Sequence, residues 1–205
     1  MKQRPFRQSV SSPYPVVIGC DEVGRGALCG PVVVAAVWFD PALFVELDLL
    51  DDSKRLTARA RERLDVTIRA GAAYSVVAVS APRIDRRGIR RATLEAMSRA
   101  IRALGIDAPV QVDGLDVPPD LSLEVTPIVQ GDRRVPQIAA ASIVAKVTRD
   151  RILTSLAPRY PEFGWDQNMG YATEAHLEAL RRLGPTPHHR RSFAAEAGFQ
   201  MSLGL

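Results

Sequence analysis

Cysteine is scarce in this chain, with Cys20 and Cys29 the only two in 205 residues. One pair cannot build a disulfide-stapled secreted fold, and in a reducing compartment both read as small buried fillers rather than a bridge. Histidine is equally thin. His176, His188 and His189 have no metal-ligand spacing with the cysteines or with one another, which excludes an ordinary zinc site and leaves them as loop and helix residues. No apolar run approaches the roughly 20 residues of a membrane helix. The opening MKQRPFRQSVSSPYP lacks the apolar centre of a secretory signal. The expectation is a cytoplasmic protein, with no membrane contact and residues 1–14 as a flexible leader. Lysine is nearly missing too, since Lys2, Lys54 and Lys146 are the only lysines among 27 basic residues.

What is present suffices for a folded body. Hydrophobic residues make up 46% of the chain, enough for a core and too many for disorder, and the length suits one domain. A net charge of +4 permits a polyanionic partner without demanding one.

The most informative stretch is VVIGCDEVGRGALCGPVVVAAV, from Val16 to Val37. Short β-branched runs bounded by glycine read as strands, so this is a strand, a glycine turn and a second strand, with Asp21 and Glu22 where the first strand ends. Carboxylates at a buried strand end are costly unless a cation binds them, and a divalent metal is the natural partner. Alternating side chains forbid both acids from facing one ion on a straight strand, so Asp21 is expected to point into the site and Glu22 to reach it because the chain turns. The glycines offer backbone N–H groups to phosphate, and Arg25 adds a fork of donors. A dinucleotide fingerprint fails on context, because Pro-Val-Val-Val follows where a helix should start. A hairpin with a merely solvated polar tip remains open at this point.

Further along, Thr57 caps a predicted helix to about Ala70, and Ala72 to Ser80 reads as a strand. A helix is expected from about Arg86 to Leu104, its apolar face running from Ile89 to Leu104 and its arginine-rich outer face carrying no site role. Pro109 to Asp113 and Val125 to Val129 are strands that again end near acids, Asp113 and Asp132. Acids at the common edge of neighbouring parallel strands, roughly 4.8 Å apart, would meet in one small volume whose four negative charges two divalent cations would neutralise. A helix from about Ile138 to Leu156 starts with small residues suited to close packing on the sheet, and Asp150 is expected to pair with the flanking arginines. Thr173 caps a last helix, with Leu177, Leu180 and Leu183 inward and Gly184-Pro185 as its stop. The strand and helix order fits an α/β fold.

GCDEVGRGALCGPVVVAAV resembles the signature of type 2 ribonuclease H, ribonuclease HII, in a bacterial-like form. LDDSKRL at 50–56, VDG at 112–114, GD at 131–132, the run from Ile138 to Asp150, NMGY at 168–171 and HRRSF at 189–193 follow in the family's order, so the resemblance spans nearly all of 16–193. It implies the ribonuclease H-like fold, a mixed central sheet flanked by helices, with a catalytic core over 15–156 and a helical C-terminal segment over 157–205 that completes the substrate site. It also implies a metal-dependent endonuclease that hydrolyses RNA in RNA–DNA hybrids and cuts 5′ of single ribonucleotides in duplex DNA, leaving 5′-phosphate and 3′-hydroxyl ends. Asp21, Glu22, Asp113 and Asp132 are then the ligands of two Mn²⁺ or Mg²⁺ ions, with Asp21 bridging. Gly24, Arg25 and Gly26 would read the ribose and its phosphate. Lys54, Ser142, Lys146 and Arg149 would contact backbone, and Tyr171 would stack on the sugar at the RNA-to-DNA junction. The tail QMSLGL resembles a sliding-clamp-binding peptide, with Gln200, Leu203 and Leu205 as its anchors. A monomer is expected. The runner-up readings are a type 3 ribonuclease H or junction resolvase and a silent nucleic-acid-binding module, the last disfavoured by four repelling acids.

Overall fold

The computed structural model describes residues 14–44, 50 and 56–196. Strands β1 (Ile18–Val23) and β2 (Val32–Trp38) form the antiparallel pair around the glycine turn, with Ile18 opposite Trp38 and Val23 opposite Val33. β3 (Ala73–Val79) joins the far edge of β2 antiparallel. On the other side β4 (Val110–Asp113) and β5 (Val125–Ile128) run parallel to β1, giving the order β3-β2-β1-β4-β5. This is the mixed sheet of the ribonuclease H-like fold.

Two helical layers cover the sheet. On one face α3 (Ile89–Leu104) packs Ala92, Ala96, Met97, Ala100 and Ile101 against Ile18, Cys20, Val32, Val34 and Ala36. On the other, α1 (Ala58–Gly71) and α4 (Pro136–Leu156) bury Val33, Ala35 and Val37 under Leu64, Ile68 and the small residues of α4. Those small residues let α4 settle directly on β1. A Cβ at Gly19 would stand 2.1 Å from the backbone carbon of Gln137, so only glycine fits there.

The helix expected from Arg86 to Leu104 is in fact two. α2 (Ala81–Arg87) starts with a proline in its first turn, and Gly88, at φ 75°, closes it and opens α3. A positive φ breaks the helical path, and glycine adopts it without steric cost. The arginines of this region make local ion pairs, Arg83, Arg87 and Arg91 with Glu95 and Arg90 with Asp116.

After α4 come α5 (Trp165–Asn168), α6 (Glu174–Leu183) and α7 (Arg191–Glu196). Thr173 caps α6 as expected, accepting from the His176 N–H. Leu180 is buried and Leu177 half-buried, whereas Leu183, expected inward, is exposed. The buried stripe of α6 runs through His176, Ala179 and Leu180. This region shares a core with Cys29 and Leu153, which ties it to the glycine turn and to α4. Both cysteines are buried and free. Among the described residues no helix is long and apolar enough to cross a membrane.

Candidate active site

The parallel ladder between β1 and β4 stops at Cys20 opposite Val112, and Asp21 and Asp113 are the next residue on each strand. Beyond that point the sheet opens into a cleft of about 340 Å³, lined by Asp21, Glu22, Asp113 and Tyr171 together with Arg61, Ser142 and Lys146. Glu22 is still inside β1 and reaches the cleft without the chain turning first, which corrects the expected geometry. Alternation sends Asp21 toward α4, where the Ser142 hydroxyl bonds it, and Glu22 toward α3, where it also borders a groove with Arg90, Thr93 and Met97. The acids meet at the strand edge, not on one face.

Their electrostatics are those of an unneutralised anionic site. Burial, and then Glu22 and Asp113, push the Asp21 carboxyl well above the carboxylate range, against the Ser142 hydroxyl and the Glu22 N–H. Burial also raises Glu22, while Arg25, 3.1 Å from its Oε1, holds it back. Glu22 Oε2 is buried with no hydrogen-bond partner among the described residues. Asp113 Oδ1 accepts the Gly131 N–H at 2.7 Å, so the turn after β5 is fastened to the acid of β4.

Asp132 follows on that turn, a single 3₁₀ turn from Gly131 to Arg133. Its side chain is buried and borders a separate small cavity with Tyr14, Val135, Pro136 and Ala139. The cleft therefore gathers three of the four expected acids, with the fourth one residue from the N–H that holds Asp113. No three His, Cys, Asp or Glu side chains among the described residues form a ready metal shell.

The expected backbone contacts divide. Ser142 and Lys146 line the cleft. Lys146 Nζ lies 2.7 Å from Asp150 Oδ1, and Arg61 is 3.8 Å from the same carboxylate, so among the described residues the ion pairs of Asp150 are with these two rather than with the flanking arginines. Arg151 reaches Asp65 instead. Arg149 is fully buried and cannot touch a nucleic acid. Arg61 went unread in the sequence, although it precedes Leu64 and Ile68 by helical spacing on the face α1 turns to α4. Lys54, Gln200, Leu203 and Leu205 lie outside the described residues.

The glycine turn is held from below. Arg190, fully buried, donates to the carbonyls of Gly24, Arg25 and Gly30, and burial with Arg149 nearby draws its pKa down to about 10. Gly26 faces the other way, since a Cβ there would meet nothing within 4 Å. Tyr171 is 38% exposed at the cleft. His176 and His189, left as ordinary loop and helix residues in the sequence, are a buried pair hydrogen-bonded to each other and to Trp165. Residues 13 apart on separate elements give no spacing signal.

The comparisons agree with this architecture. The family model described as ribonuclease HII matches residues 18–196. A ribonuclease HII of Paramagnetospirillum magneticum is 51% identical over 189 residues, covering 91% of this chain and 94% of that one. Among solved structures, the ribonuclease HII in a PCNA complex from Archaeoglobus fulgidus superposes with a TM-score of 0.77 at 29% identity, over 92% of this chain and 98% of that one. The ribonuclease H2 of Pyrococcus horikoshii gives 0.75 at 30% identity, over 88% and 95%. The chain belongs to the ribonuclease HII family and is a hydrolytic endonuclease of the ribonuclease H type.

Proposed function

We propose that the protein hydrolyses the RNA strand of RNA–DNA hybrids and cuts 5′ of a single ribonucleotide in duplex DNA, with divalent cations held by Asp21, Glu22, Asp113 and Asp132. The observation that carries this is the cleft where carboxylates of two parallel strands meet beside Tyr171 and the glycine turn. The donor set is all oxygen, which suits Mg²⁺ or Mn²⁺. Burial and mutual repulsion leave the ionised forms of Asp21 and Glu22 short of compensating charge, and Glu22 Oε2 short of a partner, both of which a bound cation would supply. When bound, a pair of ions supplies an activated water and stabilises the leaving 3′ oxygen, giving 5′-phosphate and 3′-hydroxyl products.

The chain's own groups then have distinct tasks. Asp21, bonded by Ser142 and crowded by Glu22 and Asp113, would hold the cations together with those two acids. Asp132 joins them by turning about the Gly131 position that already grips Asp113. The N–H groups of Gly24 to Gly26 read the 2′-hydroxyl and its phosphate, the group that separates RNA from DNA. Tyr171 packs on the next sugar and favours one lacking that hydroxyl. Lys146, Ser142 and Lys54 meet the backbone. Calorimetric titration with Mn²⁺ checks the ligand set: Asp113→Asn and Asp132→Asn should each weaken binding and cleavage together, and unchanged binding in both variants would remove them from the site.

The Archaeoglobus fulgidus neighbour was solved as a PCNA complex. That supports a sliding clamp as a partner of this chain, and the clamp-peptide pattern of Gln200, Leu203 and Leu205 would make the contact. Deleting 200–205 should abolish clamp binding and spare nuclease turnover, and equal clamp binding by both forms would contradict the assignment.

A further inference from the structure

Arg149 is a buried cation that contacts both the glycine turn and Tyr171. It lies in the second half of α4, wholly shielded from solvent, with no carboxylate partner within ion-pair distance among the described residues. All three of its nitrogens go to main-chain carbonyls instead. Nε donates to Pro31 O at 3.0 Å, Nη2 to Cys29 O at 3.0 Å and Nη1 to Met169 O at 2.8 Å. The first two belong to the far side of the glycine turn and the third to the loop that ends in Tyr171.

The same guanidinium touches the readers themselves. A Cβ at Gly24 would fall 2.1 Å from Arg149 Nε, so the turn backbone rests against the side chain. On its other side Arg149 Cζ sits 5.3 Å from the centre of the Tyr171 ring, within cation–π range. A backbone seam runs alongside, with the Leu28 and Cys29 N–H groups donating to Gly170 O at 2.9 and 3.2 Å. From its own side the loop is held by Asn168 Oδ1, which accepts the Gly170 N–H at 2.8 Å, and by His176 Nδ1, 2.8 Å from Tyr171 O. The grip on Met169 O and the contact with the ring add a side-chain tie between that loop and the glycine turn. Met169 closes α5 with a left-handed φ of 50°, which turns its carbonyl toward Arg149.

We infer that Arg149 is the positioning residue that fixes the tilt and distance of Tyr171 relative to the Gly24–Gly26 turn, and so sets the preference for a ribose followed by a deoxyribose. This rests on the roles given above to the turn and to Tyr171. Arg149 touches no substrate. It acts by keeping the site for the sugar that has a 2′-hydroxyl and the site for the sugar that lacks one in a fixed frame, and small misplacements of a positioning group can cost orders of magnitude in rate.

The test compares turnover on a duplex with one ribonucleotide and on a uniform RNA–DNA hybrid for Arg149→Lys, Tyr171→Ala and the double variant. Lysine keeps the charge but cannot span three carbonyls. Arg149→Lys should lower the single-ribonucleotide to hybrid kcat ratio by about tenfold, with KM for both duplexes nearly unchanged, and should add nothing in the Tyr171→Ala background. A purely structural role would lower both activities alike and leave the ratio intact, which overturns the inference. If Tyr171→Ala alone leaves the ratio unchanged, the role given to Tyr171 fails first and this inference falls with it. If Arg149→Lys does not fold, nitrogen-resolved NMR of the wild-type protein in chelator decides. The Arg149 Nε–H resonance should move when the single-ribonucleotide duplex binds and stay put with all-DNA duplex, and the same response to both overturns the inference.

Discussion

His176 and His189 face each other ring to ring, Nε2 to Nε2 at 3.0 Å, in the interior of the C-terminal segment. Their protons are ordered by their surroundings. His176 Nδ1 is 2.8 Å from the Tyr171 carbonyl, which only accepts, so the proton sits on Nδ1 and Nε2 accepts from Trp165 and from His189. His189 Nδ1 in turn accepts from the Thr186 N–H and hydroxyl. Both rings are neutral, and the chain of bonds ends on the backbone of Tyr171.

A further proton on either ring would break that order. Burial, then His176 and His188, take His189 down to about 3, and burial lowers His176 as well. A base whose folded pKa is depressed leaves the unfolded state binding more protons between the two values, so stability is lost as pH falls from about 6.5 toward 3. Asp21 and Glu22, raised in the fold, work in the opposite direction. The histidine share is read as a difference: between pH 8 and 4 the thermal midpoint of wild type should drop relative to that of His189→Gln. An unaltered slope in the variant would exclude the pair as its source.

Two glycines separate folding from function. Gly19→Ala drives a Cβ into the Gln137 backbone and should cost about 3 kcal/mol or more, or prevent folding. Gly26→Ala meets nothing in the protein, so its melting should match wild type while cleavage of hybrid falls sharply, because the added methyl stands where substrate must approach. Melting curves and turnover of the pair check both, and a folded, active Gly19→Ala would disprove the close seat of α4.

Asp21 is a buried carboxylate pressed by Glu22 and Asp113. Asp21→Asn should abolish cleavage, retain hybrid binding and stabilise the protein in chelator by on the order of 1 kcal/mol, about 2–4 °C in Tm for a chain of this size. Added Mn²⁺ should raise the Tm of wild type and not of the variant. A lowered Tm in chelator would mean that the carboxylate supports the fold.

How much of this was legible depended on where each signal lay. The strands and the acids near their ends follow from β-branched runs meeting Asp and Gly, and β1, β4 and β5 do lie parallel, the arrangement in which such acids can converge. The direction of Asp132 was hidden, because a 3₁₀ turn and not strand alternation aims it. Gly88 was read as an ordinary helical residue, since its positive φ is visible only in the fold. Arg149 is expected from the sequence to touch a nucleic-acid backbone and to pair with Asp150, yet its partners are carbonyls more than a hundred residues away or across a loop. Periodicity reports local burial and cannot report such distant partners.

The most direct measurement is cleavage of an end-labelled duplex carrying one ribonucleotide, beside all-DNA and uniform hybrid controls, with Mn²⁺, Mg²⁺ or chelator. The expected result is a single cut 5′ of the ribonucleotide with either ion, cleavage of the hybrid, an intact all-DNA control and no product in chelator. Product that persists under chelation, or equal cutting of the all-DNA duplex, would contradict a carboxylate-held metal site that reads the 2′-hydroxyl.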